Sequence, residues 1–227
     1  MTGQWREKLG PLKDKFRKNK CWICGTGPSL DDVDLSLLGD RRIFALNAAI
    51  TLFSNHKHFK DVWWVFWDLR AYHESWNRTG RLMKIIRAFV HKRALEVTRS
   101  LRISGHYVEY EGNIFKPKRT VLETALRVVD YLGFEEVYMV GIDFAVRPMQ
   151  PYATELMWKN CFFWDFKTQK ECKSVVEMLE AMRAFKPELN NVKVFQTSPL
   201  FPDTELFPYI PYEDALKRTK SCCSVRP

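Results

Sequence analysis

The sequence predicts an α/β domain with a mostly parallel β-sheet, helices on both faces and a lid-like insertion. Several short runs are apolar without alternation, which is typical of strands buried between two layers of helices. Amphipathic helix patterns lie between these runs. A glycine or a polar residue follows each run directly, as at the carboxyl ends of parallel strands that form ligand sites. The 227 residues suffice for a sizeable core.

The first predicted strand, Cys21–Cys24, runs directly into a turn that contains two glycines. Glycines permit a tight turn and allow a ligand to approach the backbone closely. Ser29 is expected to cap a helix over Leu30–Leu38. Strand, turn and helix start together predict a nucleotide cradle, although GxG is weaker than the full GxGxxG motif and also fits a plain strand-to-helix turn. The expected nucleotide-binding residues here are Gly25, Thr26, Gly27, Pro28 and Ser29.

Two further predicted strands end in polar residues. Arg42–Leu46 is followed by Asn47, and Asp61–Trp67 runs into Asp68. Ligands of open α/β sheets bind in the crevice at the carboxyl ends of the strands. We therefore expect Asn47 and Asp68 to face the same ligand crevice as the glycine turn.

The segment Arg81–Ala94 has apolar residues at helical spacing, with cations on the opposite side. We expect a helix whose basic stripe, which includes Arg87, Lys92 and Arg93, contacts a polyanionic acceptor. The alternative is an ordinary solvated face. Farther along, strand-like pieces are expected at Leu101–Ile103 and Tyr107–Tyr110, with His106 in the turn between them.

Thr120 and Glu123 have the spacing of a capping box, which predicts a helix that begins after Thr120 and ends at Gly133. Lys118 and Arg119 immediately precede this helix. Cations and the positive end of the helix dipole favour an anion at the same place. We expect Lys118, Arg119 and Thr120 to bind the nucleotide; the alternative is that the cations are simply solvated.

The next predicted strand, Glu136–Val140, is followed by Gly141 and Asp143. Gly141 is expected beside the nucleotide, and Asp143 again lies at the carboxyl end of a predicted strand, where it would face the same crevice. Residues 146–166, rich in proline and aromatic residues, are expected to form a lid beside the site. A helix over Thr168–Phe185 and a last strand over Val192–Phe195 complete the predicted elements.

The expected organisation has three parts: a basic amino-terminal arm over residues 1–19, a nucleotide-binding α/β domain over 20–200, and an extension over 201–227 with a disordered end. No apolar run reaches the ~20 residues of a membrane span, and the first residues do not resemble a signal peptide. We therefore expect a cytoplasmic protein with reduced cysteines and no span. The sequence leaves the oligomeric state open.

The net charge of +9 favours a polyanionic partner: nucleic acid such as DNA, an acidic membrane surface or a phosphorylated substrate. General solubility is the plain alternative.

Four segments in this order are familiar as a set: GTGPSL, FALN, VFWD and LGFEEVYMVGIDF. Together they resemble the Rossmann-like superfamily that contains bacterial CMP-sialic acid-dependent sialyltransferases and the MptE-like 6-hydroxymethylpterin diphosphokinase group. The resemblance covers roughly residues 20–198. It implies a single Rossmann-like domain, and it identifies the superfamily better than the reaction.

The sialyltransferase resemblance implies that the glycine turn and Asn47 hold the nucleotide, that Asp68 contacts the donor, and that Tyr152 in the lid bonds the leaving phosphate. Members of that family carry a catalytic histidine after the lid, whereas this chain has no histidine beyond His106. The general base must therefore differ, and Asp68 and Asp143 are the obvious carboxylates.

The diphosphokinase resemblance instead implies that Asp68 and Asp143 bind Mg²⁺ on a nucleoside triphosphate. We favour a glycosyltransferase that uses a nucleotide-activated sugar and an acceptor hydroxyl, for example on a hydroxymethylated base in phage DNA. The alternatives are a Mg²⁺-dependent pyrophosphokinase and a non-catalytic nucleic-acid-binding module.

Overall fold

The computed structural model describes residues 6–8, 10–53, 59, 61–66, 87–91, 106–110, 120–144, 164–165, 170–171, 175–201 and 203–219. The described strands are β1 Arg6–Lys8, β2 Lys20–Cys24, β3 Arg42–Leu46, β4 Asp61–Phe66, β5 Arg87–His91, β6 His106–Tyr110, β7 Glu136–Val140, β8 Trp164–Asp165, β9 Lys170–Glu171 and β10 Lys193–Gln196. The described α-helices are α1 Val121–Tyr131, α2 Val175–Phe185 and α3 Tyr212–Thr219.

The main sheet has the strand order β1-β6-β5-β4-β3-β2-β7-β10. Every neighbouring pair in it is parallel. Strands β8 and β9 form a separate antiparallel pair. The prediction of an α/β fold on a parallel sheet is confirmed. Of the described helices, none is both long and apolar enough to cross a bilayer.

Strand β2 lies at the point where the order of the strands reverses. The chain proceeds from β2 through β3, β4, β5 and β6 in one direction, and β7 then lies on the other side of β2. In the sheet register, Trp22 of β2 pairs with Ile43 of β3 and with Tyr138 of β7. The carboxyl ends of β2 and β7 are therefore the topological switch point, where open α/β sheets form their ligand crevice.

The core has two layers, one on each face of the sheet, because successive side chains of a strand point to opposite faces. Cys21 and Ile23 pack with α1 on one face, while Trp22 and Cys24 pack with α3 on the other. Both layers are buried, which explains why the strands lack apolar-polar alternation. Each large side chain removed from water contributes roughly 1.5–3 kcal/mol to folding.

The segment after residue 200 is part of the fold, contrary to the expected extension. Phe201 and Phe207 are buried in the α1 layer, and Leu216 is buried in the layer of α3. Arg41 clamps the end of α3: its Nε donates to Thr219 Oγ1 at 2.7 Å and its guanidinium donates to Leu216 O at 3.0 Å. Residues 220–227 lie outside the described residues.

The amino-terminal segment also belongs to the fold, whereas the sequence favoured a peripheral arm. Strand β1 pairs in parallel with β6, and Leu12 is buried. Phe16 is buried between Trp63 and Phe134, with ring centroids 5.5 and 5.2 Å away. Leu12 and Phe16 stand among many charged residues, and this charged composition hid them as core residues.

The predicted helix over Arg81–Ala94 is wrong for its described part, because residues 87–91 form strand β5. Their backbone pairs with β4 and β6 in the middle of the sheet. The apolar spacing suited a helix, but pairing with two neighbouring strands decides the conformation. The basic helical stripe is thereby lost: Arg87 lies in a strand, while Lys92 and Arg93 lie outside the described residues.

Three smaller expectations also need correction. His106 is the first residue of β6 rather than part of a turn, and Leu101–Ile103 lies outside the described residues. Helix α2 begins at Val175, since Lys170–Glu171 is in β9. The expected helix over Leu30–Leu38 is two 3-10 helices, Pro28–Asp32 and Leu35–Leu38.

The 3-10 helices are separated because local side-chain bonds compete with a continuous helix. Val33 is extended, and the Asp34 carboxylate accepts hydrogen bonds from the amide and hydroxyl of Ser36. The predicted cap is also wrong: Gly27 occupies the N-cap position, while Ser29 lies inside the first 3-10 helix.

A polar cluster holds the amino ends of β2 and β7 together. Lys20 Nζ lies 2.8 Å from the Glu136 carboxylate, and the Tyr138 hydroxyl donates to the same carboxylate. Burial acts to raise the pKa of Glu136, but the hydrogen bonds from Lys20 and Tyr138 outweigh it and hold that pKa below its usual value.

We predict that Glu136→Gln lowers the free energy of unfolding at pH 7 by about 1–2 kcal/mol. Because the pKa of Glu136 is lower in the folded state than in the unfolded chain, its stabilising contribution is complete above the unfolded pKa. It disappears as the pH falls through the folded pKa. Urea unfolding of both proteins between pH 7 and 3.5 measures this. The difference should persist down to about pH 4.5; its loss between pH 7 and 6 would contradict the assignment.

Candidate functional site

At the switch point, the glycine turn (Gly25–Ser29) after β2 lies against the loop 141–144 after β7. The amide of Gly25 donates to Val140 O at 2.9 Å, and the amide of Gly27 donates to Gly141 O at 2.8 Å. These bonds continue the β2–β7 pairing beyond the last strand residues, Cys24 and Val140. The turn and the loop therefore form one rigid corner.

A buried carboxylate closes this corner. Asp143 is 3% exposed and Ser29 is 2% exposed. The Ser29 amide donates to Asp143 Oδ2 at 2.8 Å, and the Ser29 hydroxyl donates to Asp143 Oδ1 at 2.6 Å. A buried carboxylate is costly unless its oxygens are hydrogen-bonded, and Ser29 serves both of them. The sequence analysis placed both residues in the site without foreseeing this bridge.

The chain's own packing accounts for the three glycines of the corner. A Cβ atom at Gly25 would overlap the carbonyl oxygen of Gly141, and one at Gly27 would overlap the Asp143 carboxylate. Gly141 has a φ of +64°, and a Cβ there would lie 2.7 Å from Leu30 Cγ. The close approach that the sequence ascribed to a ligand is made by the protein itself.

Asn47 follows β3, the neighbour of β2, at the same edge of the sheet. It is half-buried and has a φ of +46°, a conformation that asparagine tolerates better than most residues. Its backbone carbonyl accepts a hydrogen bond from Trp64 Nε1 at 2.8 Å. The Asn47 backbone is thus fixed at this edge of the sheet, close to the switch point.

Thr120 is the N-cap of α1, and its hydroxyl accepts a hydrogen bond from the Glu123 amide at 3.3 Å. The predicted helix start is confirmed. Gly133, with a φ of +85°, follows the helix as predicted. Because α1 leads into the amino end of β7, its own amino end faces the carboxyl edge of the sheet. Thr120 therefore lies towards the edge that carries the glycine turn.

The sequence analysis missed a polar group at the carboxyl end of β10, the strand next to β7. Gln196, Thr197 and Ser198 are buried. The amide and the hydroxyl of Thr197 both donate to Met139 O, at 2.9 and 2.8 Å. The sequence did contain a signal for this group, because three polar residues follow the predicted strand Val192–Phe195 just as Asn47 follows β3.

Aromatic packing joins this group to the corner. Phe144, with a φ of +44°, packs edge-on against Phe201, with ring centroids 5.6 Å apart. The loops after β7 and β10 are therefore in contact beside the candidate site, and together they form one side of it.

Several predicted site residues lie outside the described part of the chain: Asp68, Lys92, Arg93, Lys118, Arg119 and Tyr152. So does the predicted lid, except for Trp164–Asp165 in β8. The roles of these residues remain predictions, as do those of Asp143 and the nucleotide-binding set.

Among the described residues, no group of three His, Cys, Asp or Glu side chains is placed to hold a metal ion. Cys21 and Cys24 are buried and unbridged, and they face opposite layers of the core. Burial raises the pKa of both thiols.

No protein-family model and no curated protein sequence matches the chain. Solved structures do match its fold. A MAf glycosyltransferase from Magnetospirillum magneticum AMB-1 is 17% identical with a TM-score of 0.59; the match covers 95% of this chain and 36% of that one. This chain thus spans little more than a third of the MAf protein.

Two sialyltransferase structures match, and each match covers most of this chain and most of the sialyltransferase. The monofunctional alpha-2,3-sialyltransferase Cst-I from Campylobacter jejuni is 17% identical with a TM-score of 0.56, covering 85% of this chain and 80% of that one. A tyrosine-to-phenylalanine variant of sialyltransferase CST-II, solved in complex with CMP, is 18% identical with a TM-score of 0.52, covering 86% of each chain. At these identities the likeness establishes a shared fold.

We predict that Gly25→Ala lowers the free energy of unfolding by at least about 2 kcal/mol, because the backbone of Gly141 cannot retreat from the new methyl group. Gly39→Ala is the comparison: nothing lies within 4 Å of a Cβ there, and only its backbone conformation, with φ of +47° and ψ of −119°, opposes the change. Strain of that kind costs roughly 1–3 kcal/mol. Denaturant unfolding measures both variants. A Gly25→Ala protein as stable as the wild type would contradict the packed corner.

Proposed function

We propose that this chain is a glycosyltransferase that moves a sugar from a nucleotide-activated donor to an acceptor hydroxyl. One observation carries the proposal: the fold shared with two sialyltransferases over most of both chains has its switch-point crevice bordered by polar residues. CMP is bound in the CST-II structure. The proposed donor is accordingly a CMP-sugar.

The proposed donor site lies along the carboxyl ends of β3, β2 and β7. Asn47 and Thr26 are half-buried there and offer neutral hydrogen-bonding groups, suited to a base or a ribose. Thr120 lies towards the same edge, and Lys118 and Arg119 immediately precede it in the sequence. In this proposal, these cations offset the negative charge that develops on the departing phosphate.

The reaction requires the acceptor oxygen to attack the anomeric carbon while the bond to the nucleotide phosphate breaks. A general base takes the proton of the acceptor hydroxyl. Asp68 is the proposed base, since it follows a strand of the same edge and the chain has no histidine beyond residue 106. Tyr152 is proposed to bond the departing phosphate, as the sialyltransferase resemblance implies.

The proposed acceptor is a polyanion such as DNA that carries a hydroxymethylated base. Its support is the net charge of +9. The helical stripe of cations no longer contributes, because Arg87 belongs to strand β5. Binding of labelled DNA at two salt concentrations tests the acceptor, since contacts to phosphates weaken as salt rises.

We predict that CMP raises the melting temperature more than UMP, AMP or GMP does. A ligand at a hundred times its dissociation constant stabilises the fold by about 2.7 kcal/mol. The CMP effect should persist in EDTA. Stabilisation by a nucleoside triphosphate only when Mg²⁺ is present would instead support the pyrophosphokinase. DNA binding with no response to any nucleotide would support the non-catalytic module.

We also predict that Asn47→Gly weakens CMP binding about tenfold while leaving the fold intact. Glycine accepts the φ of +46°, so the change removes the amide side chain and spares the backbone. Asn190→Gly is the matched control, because Asn190 precedes β10 at the opposite edge of the sheet. Isothermal titration with CMP measures both variants. Equal affinities in Asn47→Gly and the wild type would remove Asn47 from the site.

A further inference from the structure

Asp143 stands where an external anion would be expected. The amide N–H groups that begin a helical turn attract negative charge, and a glycine turn before them usually receives a phosphate. Here the Asp143 carboxylate takes that place: Ser29, near the start of the 3-10 helix Pro28–Asp32, gives it both its amide and its hydroxyl hydrogen. The anion of this turn is supplied by the chain itself.

Two other amides of the turn, and that of Leu30 directly after it, are also engaged. Gly25 and Gly27 donate to carbonyls of the β7 strand and its loop, and Leu30 donates to Gly27 O at 3.2 Å. Pro28 has no amide hydrogen. A phosphate arriving at these amides would meet donors that are already used and a buried carboxylate of the same sign, whose repulsion a low-dielectric surrounding strengthens.

We propose that Asp143 is a positioning residue that serves as the internal anion of the glycine turn, so that the turn receives the neutral nucleoside of the donor and not its phosphate. The nucleoside part of this inference rests on the proposed function. Asp143 then acts through Ser29: it holds the turn rigid and directs the phosphate elsewhere along the edge. This role differs from that of the catalytic base or Mg²⁺ ligand predicted from the sequence.

The same chain offers a matched control. Asp34 accepts hydrogen bonds from the Ser36 amide at 2.9 Å and the Ser36 hydroxyl at 2.6 Å, the same two donors that Ser29 provides. That pair is exposed and local, whereas Asp143 and Ser29 are buried and 114 residues apart. Both Ser36 donors bond Asp34 Oδ1, which an asparagine keeps, so Asp34→Asn removes the negative charge of such a pair without disturbing the corner.

The test measures cytidine and CMP affinities by calorimetry for the wild type, Asp143→Asn, Ser29→Ala and Asp34→Asn. Asp143→Asn should weaken both ligands by the same factor, about tenfold, because a loosened turn loses its contact with the nucleoside. Ser29→Ala is the milder change and serves if Asp143→Asn does not fold. It should weaken both ligands by a smaller common factor. Asp34→Asn should bind as the wild type does. Loss or gain confined to CMP would overturn the proposal, as would unchanged affinities in both corner variants.

Turnover separates positioning from acid–base chemistry. If Asp143 only positions the turn, Asp143→Asn raises the KM for the CMP-sugar donor about tenfold. It keeps kcat within about threefold and leaves the pH profile of kcat unchanged. A fall in kcat of ~10²-fold or more, with the acid limb of that profile lost, would identify it as a base and overturn the proposal.

A ligand-free measurement distinguishes this inference from the proposed function. In a double-mutant cycle on the unfolding equilibrium, Ser29→Ala and Asp143→Asn should be coupled by about tenfold in the equilibrium constant, or about 1.4 kcal/mol. Coupling with no affinity for CMP or cytidine would leave the internal anion standing while the proposed function and its nucleoside subsite fail. Additive effects would overturn the internal anion whatever binds.

Discussion

The carboxyl end of the β2–β7 pair depends on one requirement: a buried carboxylate, Asp143, must be hydrogen-bonded. Ser29 meets it with two donors, and this is possible only because the turn before Ser29 lies directly against the loop after β7. That closeness demands glycine at positions 25, 27 and 141. An unpaired buried charge would cost several kcal/mol. A change in the turn, the loop or one of the glycines therefore destabilises the whole corner.

The two-layer core brings this corner into position. Helix α1 covers one face of the central strands, and the 3-10 segments with α3 cover the other. Arg41, bonded to Thr219 and Leu216, ties the last helix to the chain between β2 and β3. Residues from the start, middle and end of the chain therefore pack around β2 and hold the switch point in place.

The sequence predicted β3 and β7 to the residue, because a strand buried on both faces is a compact apolar run with a polar stop. It failed at β5, where the same residues satisfy helical spacing and only the pairing with β4 and β6 decides. It placed Asn47, Asp143 and the glycine turn at one edge, since the carboxyl ends of parallel strands lie at the same edge of a sheet. It could not foresee that Ser29 would bind Asp143, a contact across 114 residues, or that Phe16 and Leu216 would join the core.

The central claim is that a nucleotide binds at the carboxyl ends of β3, β2 and β7. Hydrogen exchange followed by mass spectrometry, with and without saturating CMP, tests it most directly because it reports position. The account predicts slower exchange in peptides that contain residues 25–30, 47–50 and 141–144, and no change around 133–136 and 190–193 at the opposite edge. Protection confined to that opposite edge, or no protection anywhere, would contradict it.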